Sequence, residues 1–289
     1  RIPRTRKRWC WSQISSSTGT ASPESGSLGS ALVTLTTDFG LRDPFVGFMK
    51  GVILSICPSA RLVDLTHDLP PQDIVAGALA LESAVPFFPS GTVHLAVVDP
   101  GVGTARRALA VRADGRYLVG PDNGLLTLPL GRAQWNAVSL TAPEYRLPEV
   151  SHTFHGRDLF APAAAYLAAG VPLERLGPPV TDPVRLSLPG CRMEGGWLVG
   201  EVLDADRFGN LVTSIPAVRL EALAGHGSAV FEVSGRSLRL VRSYDEADDG
   251  TPAAIVGSTG RLEVFVKGGS ARDALAAGPG TPVRVRRGA

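Results

Sequence analysis

Apolar and polar positions change their spacing repeatedly along the chain, and from residue 31 onward each change marks one element ending and the next beginning. ALVTLTTDFG (31–40) is a β-branched run closing in polar residues, which predicts a strand, and PFVGFMKGVILSICP (44–58) has the spacing of a helix that Pro58 stops. RLVDLTHDLP (61–70) predicts a second strand and DIVAGALALESAVPFF (73–88) a second helix, with Asp73 at its N-cap. TVHLAVVDPG is a third strand, RALAVRA and RYLVGPDNG are strands around an Asp114-Gly115 turn, and GRDLFAPAAAYLAAG (156–170) is a further helix. Strands alternating with helices argue for a largely parallel or mixed sheet covered on both faces, with ligands held at the carboxyl ends of strands.

The pattern changes character twice. Residues 1–30, a basic patch followed by Ser, Thr and Gly, hold almost no periodic apolar position and are expected to be disordered. The proline-rich passage 177–190 reads as a linker between an α/β domain (31–176) and a β-rich domain (191–289) of short alternating strands, whose main helical stretch is VRLEALAG.

Composition narrows the classes. The chain of 289 residues is 44% hydrophobic and 19% charged, and it lacks the ~18 uninterrupted apolar residues of a membrane-spanning helix. Of its 29 basic residues, five lie in the first eight positions, and the remainder is slightly acidic, which argues against a nucleic-acid partner. Cys10, Cys57 and Cys191 are odd in number and far apart, so a reduced cytoplasmic compartment is expected rather than a disulfide framework.

Asp38, His67, Asp68 and Asp99 each follow an apolar strand, where an α/β sheet places its crevice. Taken singly, each reads more readily as a turn or cap residue, a reading weakened by their joint occurrence on three consecutive strands. TTDFGLRD can present Asp38 and Asp43 across one turn, with a carboxylate suited to a ribose diol. FHGRD brings His155 into a turn, with Arg157 and Asp158 readable as an ion pair or cap. In DRFGN, Asn210 offers both a donor and an acceptor to an adenine edge, and Phe208 offers a ring to stack on it. PDNG (121–124) is a weak turn signal, His94 reads as a structural histidine, and His226 has no assigned role. Clustered Asp and His also fit a metal-dependent nucleoside hydrolase or phosphoesterase, although Arg42 and Arg106 would sit badly beside a divalent ion.

TDFGLRDPFVGFMKGVI, DLTHDLPPQDIVAGA, GTVHLAVVDPGVGTARR, PDNG, FHGRDLFAP and DRFGNLVTSI occur in one order, and together they resemble the S-adenosyl-L-methionine hydroxide adenosyltransferases, relatives of the fluorinases and chlorinases. The resemblance implies an α/β domain with about seven strands, a smaller barrel-like all-β domain, and a homotrimer with active sites between subunits. It also implies hydrolysis of S-adenosyl-L-methionine to adenosine and L-methionine, with no cofactor and no metal. By the same resemblance Asp99, Arg106 and His155 activate water, Asp38 holds the ribose, Asp43 and Asp206 lie near the methionine portion, and Asn210 meets adenine. Phe154 and Phe208 line the pocket, Ser258 contacts the amino acid group, and Gly268 approaches adenine through its backbone. Fluorinases carry tyrosine at the position of Asp99, and Tyr-Ser at that of His155-Gly156, so 5′-halogenation is disfavoured; a nucleoside-binding protein without turnover is the remaining alternative.

Overall fold

The computed structural model describes residues 31–130, 134–224 and 229–288. The leading stretch 1–30 and His226 lie outside the described residues. In chain order the first lobe runs β1 (Leu32–Thr37), α1 (Phe45–Ile56), β2 (Arg61–Thr66), α2 (Ile74–Ala84), β3 (Val93–Val97), β4 (Ala108–Ala113) and β5 (Arg116–Pro121). It continues with α3 (Thr127–Leu130), β6 (Trp135–Ser139), α4 (Ala161–Ala168) and β7 (Pro179–Val180).

The seven strands form one mixed sheet in the order β2-β1-β3-β5-β4-β6-β7. β2, β1, β3 and β5 run parallel, whereas β4 is antiparallel to both β5 and β6. Two apolar layers explain why the parallel strands read as near-continuous β-branched runs. Val33, Leu35, Leu95 and Val97 face Met49 and Ile53 of α1 and the alanines of α4. On the other face Ala96, Val98, Leu109 and Val111 pack against Leu81 of α2 and Leu125, Leu126 and Leu130 around α3.

The local signals are met closely. Asp73 caps α2 by accepting from Ala76 N, and Asp114 and Gly115, both at positive φ, turn β4 into β5. The segment after His155 departs from a plain α-helix. It opens with a π turn over Gly156–Phe160, in which Ala161 N–H donates to Gly156 O. The proline-rich passage is more than a spacer: its Pro179–Val180 is the last strand of the sheet, and Val184 N and Leu186 N donate to Asp122 and Thr127.

The second lobe runs β8 (Arg192–Glu194), β9 (Trp197–Ala205), β10 (Leu211–Pro216), α5 (Ala217–Ala224), β11 (Ala229–Val233), β12 (Arg236–Leu238) and β13 (Leu240–Val241). β14 (Pro252–Val256), β15 (Arg261–Val266), α6 (Ala271–Leu275) and β16 (Pro282–Arg287) complete it. The order β12-β11-β16-β9-β10-β15-β14-β13 begins and ends on strands separated only by Arg239, whose carbonyl accepts from Ala254 N, so the sheet nearly closes into a barrel. Its interior is filled by Leu198, Val202, Leu211, Phe231, Leu262, Val264 and Val285. An Arg261–Glu82 ion pair joins β15 to α2 across the two lobes. No helix among the described residues is long and apolar enough to cross a membrane.

Candidate active site

The connection between β3 and β4 turns tightly at Asp99–Thr104, with Val102 N donating to Asp99 O and Thr104 N to Gly101 O. Gly103 permits it: its φ is +79°, and a Cβ there would lie 2.4 Å from the carbonyl oxygen of His152. The turn returns Arg106 to face Asp99. Arg106 Nε donates to Asp99 Oδ1 at 2.7 Å, and Nη2 donates to Oδ2 in a two-pronged pair whose side chains are only 9% and 5% exposed. From the loop before α4, His155 places Nδ1 2.9 Å from Arg106 Nη2. The Phe160 ring lies beneath the guanidinium, 5.3 Å from Cζ.

The contact with Arg106 selects the tautomer of the neutral imidazole. A guanidinium only donates, so Nδ1 must accept, and the neutral ring carries its proton on Nε2. Burial, followed by the charge of Arg106, holds the His155 pKa below its ordinary 6.5. In an imidazole NMR titration His155 is expected to show the Nε2-protonated tautomer at neutral pH and a midpoint below 6.5. A midpoint above that value would contradict the arrangement. The unfolded chain binds this proton more readily, so the linked stability is complete above 6.5 and declines as pH falls toward the folded-state pKa.

The remaining candidates of the first lobe lie mainly in the loops after β1 and before α4. Asp38 follows β1 and its Oδ2 accepts from Gln72 N at 2.7 Å. Phe154 stacks edge-on with Phe39 and Phe45 at centroid distances of 5.9 and 5.3 Å. Asp43 is exposed, as are Leu41, Phe45 and Phe48 beside it. Asp158 does not cap its own helix: it accepts from Ser151 N and from Arg157, tying down the loop that carries His155. His94 is only half satisfied, with Nδ1 on Thr34 and Nε2 without a partner among the described residues, and burial depresses its pKa to about 4.

In the second lobe Asp206 and Asn210 form one compact turn. Asp206 Oδ1 accepts from Phe208 N and Asn210 N, and Oδ2 accepts from Asn210 Nδ2 at 2.9 Å, so that amide donor is already engaged within the chain. Phe208 projects from the turn, 76% exposed. Ser258 lies exposed in the β14–β15 turn, and Gly268, at φ +71°, follows β15. Among the described residues no hydrogen bond or ion pair links this set to Asp99, Arg106 or His155.

Two supporting networks lie beyond the site residues that the resemblance named. Asn123 Nδ2 donates to Val98 O, the carbonyl leading into Asp99, while Asp122 N and Arg106 Nη1 both donate to Arg107 O. The PDNG turn thus braces both shoulders of the Asp99–Arg106 connection. Arg107 itself spans Asp122 and Asp182. Beneath Asp38, Thr37 Oγ1 contacts His67 Nδ1 at 2.8 Å, Asp64 Oδ1 lies 3.0 Å from Nε2, and Lys50 pairs with Asp64. His67 therefore serves the loop from below. The other strand-end residue, Asp68, is exposed near Arg207. No group of three or more metal-ligating side chains is gathered among the described residues.

The sequence matches the SAM hydroxide adenosyltransferase N-terminal domain over residues 33–177 and the C-terminal domain of that family over 200–284. It is 47% identical over 261 residues to the (R)-S-adenosyl-L-methionine hydrolase of Thermus thermophilus, covering 88% of this chain and 98% of that protein. A fluorinase of an Actinoplanes species is 33% identical over 67% of this chain and 74% of its own length. A crystal structure of a conserved protein from Thermotoga maritima superposes with a TM-score of 0.82 at 33% identity, covering 88% of this chain and all of that one.

Proposed function

The chain belongs to the SAM hydroxide adenosyltransferase family, and from that membership we propose that it hydrolyses S-adenosyl-L-methionine (SAM) to adenosine and L-methionine. The observation that carries the reading is the unbroken contact Asp99–Arg106–His155 at the end of β3.

A sulfonium leaves readily, so the protein's task is to hold the sugar and aim an oxygen at C5′ opposite the sulfur. His155 Nε2–H donates to the attacking water and Asp99 accepts from it, which directs an oxygen lone pair at C5′. As the C5′–O bond forms, the electron pair of the C5′–S bond passes to sulfur and the sulfonium charge disappears. The proton released from the water passes to Asp99 and on to solvent. Arg106 stabilises the negative character of the oxygen before the proton has left. Asp38 receives the ribose hydroxyls, Phe154 and Phe208 border the pocket, Asn210 and Gly268 meet adenine, and Asp43, Asp206 and Ser258 surround the methionine portion. None of these steps requires a metal or a cofactor. A carboxylate at position 99 would repel an incoming halide, which disfavours the fluorinase reaction.

The protein works as a homotrimer in this reading, with each site shared between the first lobe of one subunit and the second lobe of its neighbour. Two features support it: among the described residues the second-lobe candidates make no hydrogen bond or ion pair with Asp99, Arg106 or His155, and Leu41, Phe45 and Phe48 are exposed apolar side chains beside Phe154. The reading places the enzyme in the cytoplasm, acting on a small molecule without a nucleic-acid partner.

Hydrolysis in H₂¹⁸O tests the reaction directly. The label is expected at the 5′ oxygen of adenosine and absent from methionine, with turnover unchanged after chelator treatment. Activity that disappears with chelator and returns with Mg²⁺ would favour a metal-dependent hydrolase, and tight adenosine binding without turnover would favour a sensor.

A further inference from the structure

The reaction above leaves one buried imidazole, His67, without a step. A register shift in the β1–β2 ladder between Leu35 and Thr36 sets Thr36 opposite Thr66, so the residues that follow, Thr37 and His67, meet at the strand ends. Thr37 is fully buried and His67 is only 5% exposed. Between them they hold the loop that carries Asp38. Thr37 Oγ1 accepts from Phe39 N at 3.2 Å, closing a turn around Asp38, and His67 O accepts from Gly40 N at 2.7 Å.

The donors and acceptors of this group run in one direction. Burial alone would raise the Asp64 carboxyl, yet hydrogen bonds from Lys50 and His67 hold it below its ordinary value. Asp64 is therefore an anion that only accepts, and because its Oδ1 lies 3.0 Å from His67 Nε2, the imidazole carries its proton there. Nδ1 is left with a lone pair, and the Thr37 hydroxyl, 2.8 Å away, donates to it. With its proton so committed, Thr37 Oγ1 turns its lone pairs to Phe39 N–H. Asp64, His67 and Thr37 stand in the order of a nucleophilic triad, but the threonine hydroxyl is shut away from solvent and already bonded twice. The set orients and does not react.

We propose that His67 is a positioning residue for Asp38: it fixes the Thr37 hydroxyl, and through it the turn that aims the Asp38 carboxylate at the ribose hydroxyls. This assignment rests on the SAM-hydrolase reading and deepens it. Gln72 N holds Asp38 Oδ2 from the other side, so Oδ1 points where the backbone of the turn sends it.

The test compares adenosine with 2′,3′-dideoxyadenosine, which lacks the hydroxyls that Asp38 receives. Thr37→Val keeps the shape and removes the hydroxyl. Adenosine is expected to bind this variant about tenfold more weakly than wild type in calorimetry, whereas the dideoxy nucleoside is expected to bind both proteins equally. His67→Gln, which keeps a donor toward Asp64 but no acceptor at the Nδ1 position, is expected to behave like Thr37→Val. His67→Asn, whose amide oxygen can take the place of Nδ1, is expected to recover most of the affinity. KM for SAM is expected to follow adenosine binding, with kcat changing far less. An unchanged adenosine affinity in folded Thr37→Val overturns the assignment, as does an equal loss for both nucleosides, which would mark a merely structural role. On the wild type, where folding is not at issue, imidazole NMR is expected to find His67 protonated on Nε2; a ring protonated on Nδ1 overturns the assignment as well. Wild-type protein that neither binds adenosine nor turns over SAM overturns the underlying reading instead.

Discussion

Replacing Arg106 with alanine is expected to lower kcat by about 10² to 10³ while moving KM far less. The guanidinium is engaged by Asp99 and His155, and in the proposed mechanism its charge acts on the attacking oxygen. The same substitution strands a nearly buried carboxylate, and breaking a buried pair of this kind costs about 3–5 kcal/mol of stability. Thermal unfolding must therefore accompany the kinetics. Arg106→Lys separates the two effects: it keeps a positive charge beside Asp99 but cannot hold both oxygens and His155 at once. It is expected to stay folded with kcat reduced by at least about tenfold. Proportionate losses in kcat and affinity would place Arg106 in substrate binding instead.

Gly103→Ala is expected to be nearly as damaging although the side chain is a single methyl. The position requires a left-handed backbone, which costs an L-residue about 1–2 kcal/mol, and its Cβ would collide with the His152 carbonyl 2.4 Å away. Relieving that overlap costs a further ~1–3 kcal/mol and shifts the turn against the loop that carries His155. A displacement of about 1 Å between the two halves of the cluster is enough to lower kcat by about 10². Gly101→Ala in the same turn is the control, because its Cβ would come no closer than 3.5 Å to any neighbour. Comparable melting temperatures and rates for both variants would show that the turn does not set the cluster's geometry.

Asp99 and Arg106 were paired in the sequence through the family resemblance, and the glycine-rich turn between β3 and β4 brings the two side chains into contact. His155 was legible for a local reason: it precedes a glycine in a loop and has no amphipathic face to explain it. The bracing side chains were not, because their partners lie far along the chain. Asn123 reads locally as half of a common Asn-Gly turn, and only the folded sheet brings its amide to Val98. His67 was visible as a strand-end residue, but its contact with Thr37 depends on the β1–β2 register.

The fold followed the apolar periodicity wherever a strand or helix was long. β7 was hidden within a proline-rich stretch because two residues carry no period, and the π turn at Gly156–Phe160 was hidden because its apolar spacing matches that of the α-helix it enters.

The linkage of Arg107 to Asp122 and Asp182 bears on how the two lobes can be separated. Arg107 adjoins the guanidinium that touches Asp99, while Asp182 belongs to the connector that leaves the first sheet. The connector therefore works as a tendon sewn into the wall of the reaction chamber. Cutting the chain at residue 177, where the N-terminal family match stops, would sever that stitch along with the Val184 contact to Asp122. The halves are not interchangeable cassettes: the front lobe borrows part of its rigidity from sequence that, by domain arithmetic, lies beyond its border.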